Sequence, residues 1–134
     1  MTEKQIENQI LSFLNKKGFF VFKVQSTGIF DPTKGIYRKS FNPHHIKGVS
    51  DIIGIYNGVF IAIEVKKPYI SKRTNTIKHR TQEELSKLAS EDQRFFISKV
   101  RKNNGIAFIA DSVTIVEEQL DLFKSLEPYR RAFL

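Results

Sequence analysis

Apolar side chains recur at Ile6, Ile10, Phe13 and Leu14, the spacing of one helix face, and Gly18 supplies a stop, so a helix is predicted over 3–17. The short apolar run Phe19–Val24 reads as a strand. Residues 26–47 hold Gly28, Pro32, Gly35 and Pro43, which predicts turns and at most a short hairpin around Ile36–Phe41. Two β-branched runs follow, Asp51–Tyr56 and Val59–Val65, joined by Asn57-Gly58. Both turn residues tolerate positive φ, so this is a strong hairpin signal. Pro68 ends the second run because it has no amide hydrogen to give a ladder.

Residues 69–80 read as a polar, basic loop, and Thr81–Leu88 as a short helix capped by Thr81 with Glu84 three positions on. A helix over 91–103 ends near Asn104-Gly105, and Ile106–Ala110 is a further buried strand. Asp111 or Ser112 caps a last helix with Val116, Leu120 and Phe123 in one stripe. The order predicts an α/β domain whose mixed central β-sheet, flanked by helices, is built around a hairpin.

The 134 residues fit a single domain, and 40% hydrophobic content is enough for a core. The longest apolar runs are short, so no membrane span is expected. The N-terminal stretch is amphipathic where a secretory signal would be apolar, which points to a cytoplasmic protein. The chain has no cysteine, which excludes disulfides, thiolate nucleophiles and cysteine-bound metal.

The net charge of +8 matters less than its distribution. No acid lies between Asp31 and Asp51, where Lys34, Arg38, Lys39 and Lys47 fall. None lies between Glu64 and Glu83, where Lys66, Lys67, Lys72, Arg73, Lys78 and Arg80 fall. Two basic stretches thus flank a pair of carboxylates. Such a surface draws a polyanion such as nucleic acid, with Lys47, Lys67, Lys72, Arg73, Lys78 and Arg80 as candidate contacts. A merely solvated basic loop is the plain alternative.

The apolar succession Val59–Ile63 predicts a strand covered on both faces, with Glu64 at its end. A carboxylate buried there without compensation would cost several kcal/mol (roughly 2–7 by transfer). Glu64 and Lys66 project to one side of the strand, Val65 to the other. A turn at 57–58 sets position 51 opposite position 64, so the Asp51 and Glu64 carboxylates meet at one end of the hairpin. Two hard oxygen donors side by side suit Mg²⁺ or Mn²⁺, and a lysine beside them can orient a water or neutralise developing charge. A strand-end salt bridge between Glu64 and Lys66 or Lys67 is the bland reading of the same residues.

Three further polar residues fall on apolar faces. Glu3 and Glu7 lie within the arc of Ile6, Ile10 and Leu14, and Gln93 lies on the stripe of Phe96, Ile97 and Val100. Each alone is more simply a first-turn residue at a helix edge. Together with Asp51 and Glu64 they point to one internal polar site.

The order helix glutamate, Gly48-Val49-Ser50-Asp51, Glu64-Val65-Lys66, then Gln93 ahead of Gly105 resembles the PD-(D/E)XK nuclease superfamily, and within it the VRR-NUC family with its small stand-alone phage-type members. The similarity spans about residues 3–112. It implies a restriction-endonuclease-like core and a metal-dependent endodeoxyribonuclease, acting on branched DNA such as Holliday junctions, as a homodimer. It also implies Asp51, Glu64 and the Val65 carbonyl as metal ligands, Lys66 as catalytic lysine and Gln93 near the water or phosphate. The helix carboxylate is Glu7 by the spacing to Gly18 seen in archaeal Holliday-junction resolvases, or Glu3 by the Glu-x-x-Ile pattern; Glu7 is slightly favoured. This chain departs from the pattern by an insertion at about 69–90, read as an added DNA-contacting element. A DNA-binding module without catalysis and a sequence-specific restriction-type enzyme remain as alternatives. Tyr37, Phe41 and Tyr69, set among cations, are either base-stacking residues or loop anchors.

Overall fold

The computed structural model describes residues 1–24, 29–31, 36–38, 44 and 46–126. Ten elements follow one another: α1 (Glu3–Lys16), β1 (Phe20–Lys23), β2 (Ile29–Asp31), β3 (Ile36–Arg38), β4 (Ile52–Tyr56), β5 (Val59–Val65), α2 (Gln82–Ser86), α3 (Glu91–Lys102), β6 (Ile106–Ala110) and α4 (Val113–Lys124). The protein is mixed α/β. Four strands form one sheet in the order β1-β4-β5-β6, antiparallel except for the parallel pair β5 and β6. The small pair β2 and β3 stands apart as a second sheet.

The central hairpin turns where expected. Asn57 and Gly58 take φ of 46° and 81°, and the register runs from Tyr56↔Val59 to Ile52↔Ile63. Position 51 therefore comes opposite 64. The earlier hairpin lies upstream of its predicted place: Ile29–Asp31 pairs with Ile36–Arg38. Residues 39–41 of the predicted hairpin, and Lys34, Lys39 and Phe41, lie outside the described residues.

Register and alternation sort the sheet into two faces. On one, Val21, Gly54, Ile61 and Ile106 line up beside Ile52, Ile63 and Phe108. Helices α1 and α4 cover it, burying Ile6, Ile10 and Leu14 from α1 and Val116, Leu120 and Phe123 from α4. Gly54 is required there, because a Cβ would stand 2.0 Å from the Phe20 carbonyl oxygen. The other face is covered by α3 and α2 over β5 and β6 only. Burial of β5 on both sides accordingly holds from Ile61 to Val65 and fails at its start, where Phe60 is exposed.

The 69–90 insertion is built into this frame. Thr81 and Glu84 make the expected capping box, and Leu85 is fully buried. The Gln82 side chain acts as a further strand on the edge of β6: its Nε2 donates to the Ile109 carbonyl at 2.6 Å, and Ile109 N donates to its Oε1 at 3.0 Å. The outer edge of β6 is thereby paired at Ile109. No helix among the described residues is long and apolar enough to cross a membrane.

Candidate active site at the open end of the hairpin

Asp51 stands one residue before β4 and is held from both sides. Its carbonyl accepts from Val24 N at 2.8 Å, and its Oδ2 accepts from Val65 N at 2.8 Å. Opposite it, Glu64 is only 2% exposed. Its Oε1 accepts from Gln93 Nε2 at 2.8 Å and lies 3.7 Å from Lys66 Nζ, while its Oε2 is buried and faces no donor among the described residues. Burial pushes the Glu64 carboxyl up to about 8. The Asp51 carboxylate adds to the rise by its charge and by accepting from the protonated form; Lys66 opposes it, and Glu3 contributes a smaller rise.

Lys66 is fixed rather than dangling. Its backbone amide donates to the Ala110 carbonyl at 3.0 Å, and its Nζ donates to Gln93 Oε1 at 3.2 Å. That same oxygen accepts from Ser90 N at 2.9 Å, while Ser90 Oγ accepts from Gln93 N at 3.1 Å. Gln93 is thus the third residue of a capping box that starts α3. One amide ties the helix start to Glu64 and Lys66 together. The Ser90-x-x-Gln93 spacing is a sequence signal for this cap, separate from the residue's place on the apolar stripe.

Gly48 explains how α3 comes so close. It takes φ of +76°, and a Cβ there would lie 2.3 Å from the Asp92 carbonyl carbon and 2.6 Å from Gln93 N. Gly48→Ala must displace the first turn of α3 against a backbone conformation that a side chain disfavours. The expected loss is roughly 1–3 kcal/mol of stability, read by urea denaturation. Unchanged stability would show that the contact relaxes without consequence.

The two helix glutamates part company. Glu3 lines a cleft of about 580 Å³ together with Lys66, Lys67, Tyr69 and Arg80. Glu7, the slightly favoured residue, is buried with its Oε1 3.2 Å from Lys23 Nζ on the edge strand. The carboxylate that shares the cleft with Lys66 is therefore Glu3.

Lys47, Lys67, Lys72 and Arg73 are exposed. The last two sit at the tip of a small loop closed by the Ile70↔Ile77 bridge and by Lys78 N donating to the Tyr69 carbonyl at 2.8 Å. Lys78 also lies 3.8 Å from Glu84 Oε2. Arg80, grouped with the DNA contacts on sequence, has another task here. Its Nη2 and Nε donate to Asp111 Oδ2 at 2.9 and 3.1 Å, and Nη2 donates to the Lys67 carbonyl at 2.7 Å. Asp111 is buried as this partner, and the cap of α4 is Ser112.

Asp51 and Glu64 fit a divalent cation. The Glu64 oxygen without a donor and the carboxyl raised by burial beside Asp51 suit compensation by a cation or by a proton shared with Asp51. Among the described residues no group of three His, Cys, Asp or Glu side chains gathers to hold a metal, so these two carboxylates would leave the remaining positions to water, backbone or phosphate oxygen. Val65 contributes its amide to Asp51 and turns its side chain into the core. No family model matches the chain, and no curated protein matches it.

Proposed function

We propose that the protein is a Mg²⁺- or Mn²⁺-dependent endodeoxyribonuclease with a restriction-endonuclease-like core, as its resemblance to the VRR-NUC family implies. The observation that carries the reading is Glu64: a buried carboxylate pressed against Asp51, Lys66 and Gln93, with one oxygen facing no donor.

Asp51 and Glu64 would hold the cation, with the Val65 carbonyl as the third donor implied by the resemblance. When bound, the cation supplies a more acidic water and stabilises charge on phosphate. Lys66 and Gln93 hold the attacking water and the non-bridging phosphate oxygens in place. Water oxygen bonds to phosphorus, the bond from phosphorus to the 3′ oxygen breaks, and that oxygen takes up a proton, leaving 5′-phosphate and 3′-hydroxyl ends. Lys47, Lys67, Lys72 and Arg73 engage the backbone, and exposed Tyr69 offers an aromatic face to a base in the cleft. The preference for branched DNA rests on the resemblance.

The test is cleavage of plasmid and four-way-junction DNA with Mg²⁺ or Mn²⁺, wild type beside Asp51→Ala and Lys66→Ala. Both variants are expected to lose on the order of a hundred- to ten-thousand-fold in rate. Cleavage that survives in both would remove the site. Salt-sensitive DNA binding without cleavage by the wild type would mark a binding module instead.

A further inference from the structure

We propose that the cavity between α2, α3 and the outer edge of β6 binds a phosphate group. It measures about 400 Å³, near the lower end of the range met for ligand pockets, about 300–1,000 Å³. It shares no lining residue with the cleft of Glu3 and Lys66, and the nuclease reading leaves it unused. Arg94 and Arg101 on α3 stand in its wall. Arg94 Nη1 donates to the carbonyls of Ser86 and Ala89 at 3.1 and 2.7 Å, and Arg101 Nε donates to the Ala107 carbonyl at 2.7 Å. A carbonyl fixes a guanidinium in place without neutralising it. Among the described residues no carboxylate lies within ion-pair distance of Arg94, and its Nε and Nη2 donate to no protein group.

A fork held by the main chain loses little freedom on binding and offers paired donors to phosphate oxygens. Ile97 and Ile109, both buried, give the attached sugar or base an apolar floor. An extended peptide is the wrong occupant, because the edge of β6 is taken: Gln82 pairs with Ile109, and Arg101 holds the Ala107 carbonyl. Glu83 is the one acid among the lining residues, set against two guanidinium groups, and its charge works against an anionic ligand. A free nucleotide and a nucleic-acid backbone carry the same phosphate chemistry, and the two differ in how the site responds to each. The site stands on its own residues and does not depend on the nuclease reading.

Calorimetric titration of the metal-free full chain with adenosine 5′-monophosphate and with inorganic phosphate, beside titration of a labelled DNA duplex, reads the outcome without any activity. Binding with a dissociation constant below about 1 mM is expected. Arg94→Lys keeps the charge and loses the fork, and should weaken it at least roughly tenfold. Ser98→Glu puts a carboxylate on the cavity wall at an exposed position, and should abolish binding with the urea midpoint unchanged. Glu83→Gln should tighten it about twofold or more. Lys87→Gln, exposed at the end of α2 and outside the cavity, should change nothing. Nucleotide binding with this pattern assigns the site to a free ligand, and the same pattern with the duplex alone assigns it to backbone phosphate. Circular dichroism checks that each variant is folded. If folded Arg94→Lys and Ser98→Glu leave the response to all three probes as in the wild type, or if Lys87→Gln weakens it as much as Arg94→Lys, the proposal is overturned.

Discussion

Metal-free protein carrying Glu64→Gln should melt at a higher temperature than the metal-free wild type at pH 8. The carboxyl of Glu64 titrates near 4.5 in an unfolded chain and near 8 in the folded one. Its contribution to stability is complete below the unfolded value and is lost as pH rises through the folded one. Between about pH 4.5 and 8 the metal-free wild type should therefore weaken by a few kcal/mol, since each tenfold change in proton affinity is worth about 1.4 kcal/mol. Glutamine keeps an oxygen for the Gln93 Nε2 and places an amide beside Asp51, so the variant should lose that slope. Divalent metal should restore the wild type at pH 8, releasing a proton as it binds, and should leave the variant unchanged. Cleavage is expected to fall by about a thousand-fold or more, because a neutral amide does not replace a charged ligand. Thermal melts at several pH values, with and without Mg²⁺, decide it. A variant less stable than the wild type at pH 8 would mean that the carboxylate is compensated by something else.

Arg80→Ala should be the most damaging single change among the basic residues, at about 3–5 kcal/mol. Its guanidinium is 12% exposed and its partner Asp111 2%, so removing the arginine strands a buried charge. The same substitution frees the Lys67 carbonyl and loosens the start of the loop that carries Tyr69. Lys72→Ala and Arg73→Ala, at the exposed tip, should leave the urea midpoint unchanged and reduce DNA affinity and its salt dependence. Denaturation and DNA-binding titrations on the three variants separate the two kinds of cation. If Arg80→Ala kept wild-type stability and lost only affinity, the arginine would be a DNA contact after all.

The central hairpin and the Asp51–Glu64 meeting were legible because Asn57-Gly58 sets the register locally, and everything opposite across a two-residue turn follows from counting. The Thr81–Glu84 cap was legible for the same reason. What escaped the sequence depends on partners far along the chain. Arg80 meets Asp111 across 31 positions, and nothing in a run of cations says which of them a buried acid will claim. Glu3 and Glu7 share an arc, and only the tilt of α1 over the sheet sends one to the Lys66 cleft and the other to Lys23. Phe20, Ile55 and Phe60, aligned across three strands and exposed, read in sequence as ordinary core, because apolar residues look alike whether a helix or solvent lies over them. Gln82 carries no sequence signal of its role, since a glutamine in a first turn is ordinary until a bare strand edge comes beside it.

The clamp at the base of the small basic loop has an evolutionary consequence. Arg80, the Lys67 carbonyl and Asp111 join its two ends, and the Ile70↔Ile77 bridge closes it higher up. Residues 71–76 can therefore be exchanged, lengthened or grafted from a relative without disturbing the strand that bears Glu64 and Lys66. The basic tip is left free to vary while the Asp51–Glu64 meeting keeps its place.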